Sequence, residues 1–317
     1  MMPVAFLFPG QGSQYVGMGR NFFQESSRAR EIFAQADEIL GFPLSRLCFE
    51  GPEEELRLTA NTQPALLTVS FIAYELLGIE PSLACGHSLG EYSALVAAGG
   101  ISFPDALRLV RKRGLYMQEA VPPGKGAMVA VLGLSLENVQ AALAEVRKGV
   151  VEIANWNSEE QIVIAGEREA VEEAVERLKP PKWVPLPVSA PFHTRLMKPA
   201  EEKLSSDLDR VEFHDLRFPI ISNVEARLVW RAEEAREALK RQVSRAVLWS
   251  KSMERLKEAG VATVVEIGAG KVLSGLMKRI TRPWNRPITI LNCEDVETMG
   301  KVREYLLGMV GKAGNIT

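Results

Sequence analysis

The chain has 317 residues, 46% apolar and 25% charged, enough to bury a sizeable core without cross-links. Lys and Arg total 38 against 40 Asp and Glu, so the net charge is −2, which argues against bulk nucleic-acid binding. Cys48, Cys85 and Cys293 are too far apart for a CxxC pair, and three histidines exclude a His-rich metal site.

At about 150 residues per domain, this length suits two units, or one large α/β unit with a smaller one attached. The opening MMPVAFLFPG has too short an apolar run for a signal peptide and lacks a cationic start. No apolar run approaches the length of a membrane span. The expectation is a soluble cytoplasmic protein of a reducing compartment, without a nucleic-acid or membrane partner.

Val4 to Phe8 is a fully apolar run that ends in Pro9-Gly10-Gln11-Gly12, which reads as a buried strand and a tight loop. Helical patterns follow over 20–40 and 62–78. A brief strand at 82–85 leads into Gly86-His87-Ser88-Leu89-Gly90 and a small-residue helix that Gly99-Gly100 stop. Ser102-Phe103-Pro104-Asp105 opens another helix with a cap, an early proline and an acid. Prolines then bracket an insertion. Within it, strands at 126–133, 150–155, 161–166 and 182–188 and helices at 135–148 and 169–179 follow the order βαββαβ, a ferredoxin-like unit. Strands at 218–223, 263–267 and 288–292 and helices around 233–257 and 271–280 complete the chain. Residues 311–317 are expected to fray.

Gly86-His87-Ser88-Leu89-Gly90 fits G-x-S-x-G between a strand and a helix, the setting of a nucleophile elbow. Ser88 would then stand exposed at a helix N-terminus, with the Leu89 N–H aimed where an oxyanion forms. The Gly10-Gln11-Gly12 turn is neither a dinucleotide fingerprint nor a P-loop. Its N–H groups can supply the other half of an oxyanion hole.

A serine needs a base. His87 reads as structural, beneath the turn, and His214, between Glu212 and Asp215, as a surface residue. His193 lies where the insertion rejoins the main unit, and clefts between units host sites. Spacing alone leaves a structural role for His193 equally open. On a helical wheel of 103–120, Arg113 falls among Ala106, Leu109, Val110 and Met117, opposite the other charges. A buried arginine must be paired. The partner is either an internal acid in a structural ion pair or the carboxylate of an acidic substrate, which the guanidinium fork fits.

These pieces together resemble the malonyl-CoA:acyl-carrier-protein transacylases and the related acyltransferase domains of fatty-acid and polyketide synthases. The resemblance runs nearly end to end. It rests on Phe8-Pro9-Gly10-Gln11-Gly12-Ser13-Gln14, Asn61-Thr62-Gln63-Pro64-Ala65-Leu66, Gly86 to Tyr92, Arg113-Gly114 with Met117-Gln118-Glu119-Ala120, Phe192-His193, and Glu266 to Leu273. It implies an α/β fold: a large α/β-hydrolase-like subdomain with a parallel sheet core, formed by 1–124 and 190–317, and a small ferredoxin-like subdomain at 125–189.

The resemblance also implies the site. Ser88 is the acylated nucleophile and His193 its base. The N–H groups of Gln11 and Leu89 form the oxyanion hole, and Arg113 holds the malonyl carboxylate. Gln63 lines the pocket, with Asn155 and Asn157 as weaker candidates. A main-chain carbonyl in the segment matching Ala246-Val247-Leu248-Trp249 orients the histidine. Leu248 departs from the usual Gln or Arg there, Ala246 from the usual Pro, and Ala269 from a frequent Pro. Phe192 fits a preference for malonyl over methylmalonyl donors, since smaller residues stand there when methylmalonyl is accepted.

Transfer would be ping-pong between CoA and the phosphopantetheine thiol of acyl carrier protein, with no metal or other cofactor and with the chain as a monomer. Gly268–Cys293 contains no Asp or Glu but holds Lys271, Lys278, Arg279, Arg282 and Arg286. Lys278, Arg279 and Arg282 are the expected docking residues for that acidic partner. One alternative is a serine esterase or thioesterase of the α/β-hydrolase type, whose order Ser…Asp/Glu…His places the histidine late. Here 124 residues follow His193. Another is a scaffold that retains the fold without a reactive Ser88.

Overall fold

The structure is a computed structural model and describes residues 3–188 and 190–313. Its strands are β1 (Val4–Phe8), β2 (Leu83–Gly86), β3 (Gly126–Leu132), β4 (Val151–Ser158), β5 (Gln161–Glu167), β6 (Lys182–Pro185), β7 (Ile220–Ile221), β8 (Leu228–Val229), β9 (Thr263–Ile267) and β10 (Thr289–Cys293). Six form one sheet in the order β10-β9-β1-β2-β7-β8. The first five run parallel and β8 is antiparallel at the edge.

β1 is buried along its whole length, as a parallel strand covered on both faces must be. Its alternate side chains enter two cores: Phe6 and Phe8 on one face, Ala5 and Leu7 on the other. The other four strands make a separate antiparallel sheet, β4-β5-β3-β6, with a core of its own that includes Val131, Val139, Ile162 and Val171.

Parallel sheets present ligands at their strands' carboxyl ends. Phe8 at the end of β1 is in register with Gly86 at the end of β2, and Cys85 with Ile221 of β7. The Gln11 loop, the Ser88 turn and Asn223 therefore leave one edge side by side.

Several elements depart from expectation. The pattern over 20–40 breaks at Ser26, which is extended and whose hydroxyl caps the Ser27–Leu40 helix at the Ala29 N–H. The 62–78 pattern forms Thr59–Leu77, which carries Pro64 within it. Proline lacks the N–H that would bond the Ala60 carbonyl. Arg111 Nη1 takes up that carbonyl at 2.7 Å.

The pattern over 233–257 splits into Ala232–Gln242 and Trp249–Glu258. Between them Val247 pairs with β4: its N–H donates to the Ala154 carbonyl and its own carbonyl accepts from Trp156, both at 2.9 Å. Backbone groups along a strand edge need such partners. β6 stops at Pro185 because Pro185 and Pro187 cannot donate to a ladder. Helices at Lys198–Leu208 and Val296–Ala313 were not foreseen. The last runs beyond residue 311, where fraying was expected, while 314–317 lie outside the described residues.

Candidate active site

β2 delivers the chain into a turn with Ser88 at φ 52, immediately before the Gly90–Ala97 helix. A Cβ on Gly86 would lie 1.8 Å from the Gly90 carbonyl carbon, and one on Gly90 would lie 2.0 Å from the Phe8 carbonyl oxygen. Both positions therefore admit only glycine, which explains the motif. The left-handed conformation of Ser88 carries a cost that neighbours must offset. The Ser88 N–H donates to Asn223 Oδ1 at 2.7 Å, and Asn223 Nδ2 donates to the Gly86 carbonyl at 2.7 Å. Asn223 thus holds the turn on both sides.

His193 also has positive φ, 60°. Ser88 Oγ lies 2.7 Å from its Nε2, and its Nδ1 lies 2.9 Å from the Gln242 carbonyl. The carbonyl accepts only from a protonated Nδ1, so Nε2 presents its lone pair to the serine hydroxyl. Burial, then the charge of Arg113, lowers the imidazole to about 3, so it is neutral and able to accept a proton.

The orienting carbonyl belongs to Gln242, not to the Ala246–Trp249 segment. The helix ends at Gln242, where carbonyls lack intrahelical partners. The Val247 carbonyl is already used by β4. No carboxylate touches either imidazole nitrogen among the described residues.

Arg113 is buried, as the wheel indicates. Its helix, Phe103–Glu119, crosses Thr59–Leu77 at Gly114, where a Cβ would lie 2.5 Å from Ala60 Cα. That approach brings Arg113 Nη1 to 2.7 Å from Gln63 Oε1. Nη2 donates to Gln242 Oε1 at 2.8 Å and to Ser88 Oγ at 3.2 Å. Every one of these acceptors is neutral. The structural ion pair is therefore not formed among the described residues, and the cation lies beside the Ser88 hydroxyl with no carboxylate in contact. Among the described residues Gln63 Nε2 meets only Met117 Sδ, at 3.5 Å, a weak acceptor.

Gln11, Gln63, Ser88, Leu89, Arg113 and His193 line one cavity of about 100 Å³, the volume of only about three waters. Through Gln11, His87, Asn155 and Leu186 it opens into a cleft of about 570 Å³ between the two sheets. Phe192 lines the inner cavity. Leu89 precedes the first helical residue, so its N–H has no partner within the helix.

His87 is half-buried and lines both spaces, rather than lying beneath the turn. Its Nε2 is 2.9 Å from Asn157 Oδ1 and its ring packs on Trp249. Asn157 therefore holds His87, while Asn155 reaches the inner cavity. His214 is exposed.

Three residues at the site were not foreseen. Gln242 Nε2 donates to the Ser88 carbonyl at 2.9 Å and to Glu91 Oε2 at 2.7 Å. Glu91 also accepts the Asn223 N–H at 3.2 Å, and burial pushes its carboxyl up to about 7. Gln242 shares a buried stripe with Ala235, Ala238 and Leu239, so the wheel that isolates Arg113 would have found it. Asn223 carries no such signal. Among the described residues no cluster of His, Cys, Asp and Glu could hold a metal, and no helix is long and apolar enough to cross a membrane.

Residues 5–304 match the family described as acyl transferase domain. The chain belongs to the acyl transferase family. Among its relatives is the malonyl CoA-acyl carrier protein transacylase of Bacillus subtilis strain 168, 47% identical over 94% of this chain and 96% of the relative. The transacylase of Escherichia coli K12 is 46% identical over 88% and 93%. A malonyl-transacylase solved in complex with its type II PKS acyl-carrier protein superposes with a TM-score of 0.92 at 43% identity, covering 96% of this chain and 99% of that one.

Proposed function

We propose that the chain transfers malonyl from malonyl-CoA to the phosphopantetheine thiol of acyl carrier protein, supplying fatty-acid chain extension, through a malonyl ester on Ser88. The observation that carries this reading is Arg113: a buried cation with neutral partners, 3.2 Å from the nucleophile. A buried guanidinium that no carboxylate touches suits a donor that brings its own carboxylate. Gln63 holds that guanidinium in place. Phe192 leaves little room for an α-methyl group, so malonyl is preferred to methylmalonyl.

His193 Nε2 takes the Ser88 proton as Oγ attacks the thioester carbon. The N–H groups of Gln11 and Leu89 receive the developing oxyanion. The C–S bond breaks, and CoA leaves as a thiol carrying the proton from His193. The carrier thiol then gives its proton to His193 and attacks the Ser88 ester. Ser88 regains the proton as malonyl departs on sulfur. A thiolate is a good leaving group, so a Ser–His pair oriented by a main-chain carbonyl suffices.

Residues 1–124 with 190–317 act as the large α/β-hydrolase-like subdomain, supported by a nucleophile turn after a central parallel strand. Residues 125–189 act as the ferredoxin-like subdomain, supported by the order β4-β5-β3-β6. One chain supplies the whole site, so the monomer is the working unit. The carrier docks through Lys278, Arg279 and Arg282.

Intact mass tests the reading. Wild type incubated with malonyl-CoA should gain one malonyl group, mapped to Ser88, and lose it to holo acyl carrier protein. Ser88→Ala should gain none, and His193→Ala should react slower by orders of magnitude. Release of free malonate without transfer would instead identify a thioesterase.

A further inference from the structure

Glu91 has no place in the steps above, yet it is one of the most deeply buried acids in the chain. A buried carboxylate is costly unless hydrogen bonds hold it. It stands one helical turn after Ser88 in the Gly90–Ala97 helix. A residue serving only that helix would turn its carboxylate to the helix's own N–H groups. Glu91 instead turns away, to Gln242 Nε2 at 2.7 Å and the Asn223 N–H at 3.2 Å.

The Gln242 amide therefore lies between a cation and a carboxylate. Its Oε1 accepts from Arg113 at 2.8 Å and its Nε2 donates to Glu91. A flipped amide would set its NH2 against the guanidinium and its oxygen against the carboxylate, which forbids the other orientation. Meanwhile the Gln242 main chain accepts His193 Nδ1. One residue thus touches the acyl selector with its side chain and the base with its backbone.

We propose that Glu91 is a positioning residue that locks the Gln242 amide, and so fixes the Arg113 guanidinium for an acidic donor. It acts through an intervening amide, which leaves the face of Arg113 toward the cavity open to the donor's carboxylate. A carboxylate in direct contact would compete with the donor.

The test rests on the malonyl-transfer reading, and wild-type acylation serves as its control: no malonyl-enzyme in wild type sinks that reading, not this one. The readout is the ratio of kcat/KM for malonyl-CoA to that for acetyl-CoA, with thermal stability followed in parallel. Glu91→Asp keeps the charge but withdraws the carboxylate by one methylene, beyond reach of Gln242. Glu91→Gln keeps the reach and an acceptor oxygen. The ratio should fall about tenfold or more in Glu91→Asp, the scale of leaving one buried donor without its partner, and stay near wild type in Glu91→Gln. Gln242→Met removes the amide but leaves the backbone carbonyl, and should lower the ratio as Glu91→Asp does. Combined with Glu91→Asp it should cause no further loss, because both act through one amide. The proposal is overturned if Glu91→Asp keeps the wild-type ratio, if Glu91→Gln loses it as fully, or if the double variant's losses add. Equal falls for both donors, with the ratio unchanged, would show that Glu91 only maintains the fold.

Discussion

Ser88 Oγ lies between an imidazole and a guanidinium, with His193 Nε2 at 2.7 Å and Arg113 Nη2 at 3.2 Å. The cation acts on the imidazole: after burial, the charge of Arg113 is the next cause that lowers His193 to about 3. The rate constant kcat/KM reports the free enzyme. For malonyl-CoA it should stay flat through the ordinary histidine range near about 6.5 and fall only in stronger acid. A donor carboxylate on Arg113 removes part of that depression. The acid limb of kcat should then lie at higher pH than that of kcat/KM, and a donor without a carboxylate should show no such separation. A limb near 6.5 in kcat/KM would contradict the assignment. Stability follows from the same shift. Between about 6.5 and 3 the unfolded chain binds a proton at this histidine that the folded chain refuses, so His193 lowers stability as pH falls through that window. Removing the cation separates its two roles. Arg113→Ala should weaken malonyl transfer by about 2–5 kcal/mol, the scale for truncating one member of a buried charge pair, while acetyl transfer suffers less or improves. Equal losses in kcat/KM for the two donors would make Arg113 a structural residue.

On the proposed reading, selection by Arg113 depends on how two helices cross. Gly114 lets Phe103–Glu119 approach Thr59–Leu77 so closely that Arg113 reaches Gln63. Gly114→Ala should push the helices apart and cost about 1–3 kcal/mol by overpacking. Thermal melting measures that loss, and the malonyl-to-acetyl ratio should fall with it. An unchanged melting temperature and ratio would mean that the crossing tolerates the methyl group. Legibility in the sequence varied for physical reasons. The Ser88 turn was readable because steric contact demands glycine at two fixed positions. Arg113 was readable because one charge interrupts an apolar helical face. The orienting group of His193 was not, because a main-chain carbonyl has no residue type. It is exposed only because a helix ends at Gln242, and the pattern over 233–257 hides that break. Val243 and Val247 keep apolar spacing through the gap while their backbones serve His193 and β4. Glu91 and Asn223 meet through contacts 132 residues apart, beyond any local pattern.

At the scale of the whole molecule, the proposed transfer requires that a net charge of −2 still allow approach of an acidic carrier. Lys278 and Arg279 lie exposed in the last turn of Val272–Ile280, and Arg282 follows just beyond. Cations there also suit the helix dipole. Arg279 lines the large cleft that leads to the Ser88 cavity, so a carrier seated there could deliver its phosphopantetheine inward. Not every cation of the acid-free stretch contributes. Lys271 pairs with Glu294 at 2.9 Å, and Arg286 donates to the Lys257 carbonyl beside Trp284. Acids distant in sequence also return in space: Glu159, Glu160 and Glu254 line a groove with Arg279 and Arg282. Charges at such a rim set association rate and its salt dependence more than the chemistry. Reversal by Lys278→Glu with Arg279→Glu should raise KM for the carrier and flatten its dependence on salt. Malonylation of Ser88 by malonyl-CoA should remain nearly unchanged, since neither side chain lines the inner cavity. Carrier kinetics that match wild type at low ionic strength would place the docking surface elsewhere. Parallel losses in both half-reactions would show instead that the helix end serves CoA as much as the carrier.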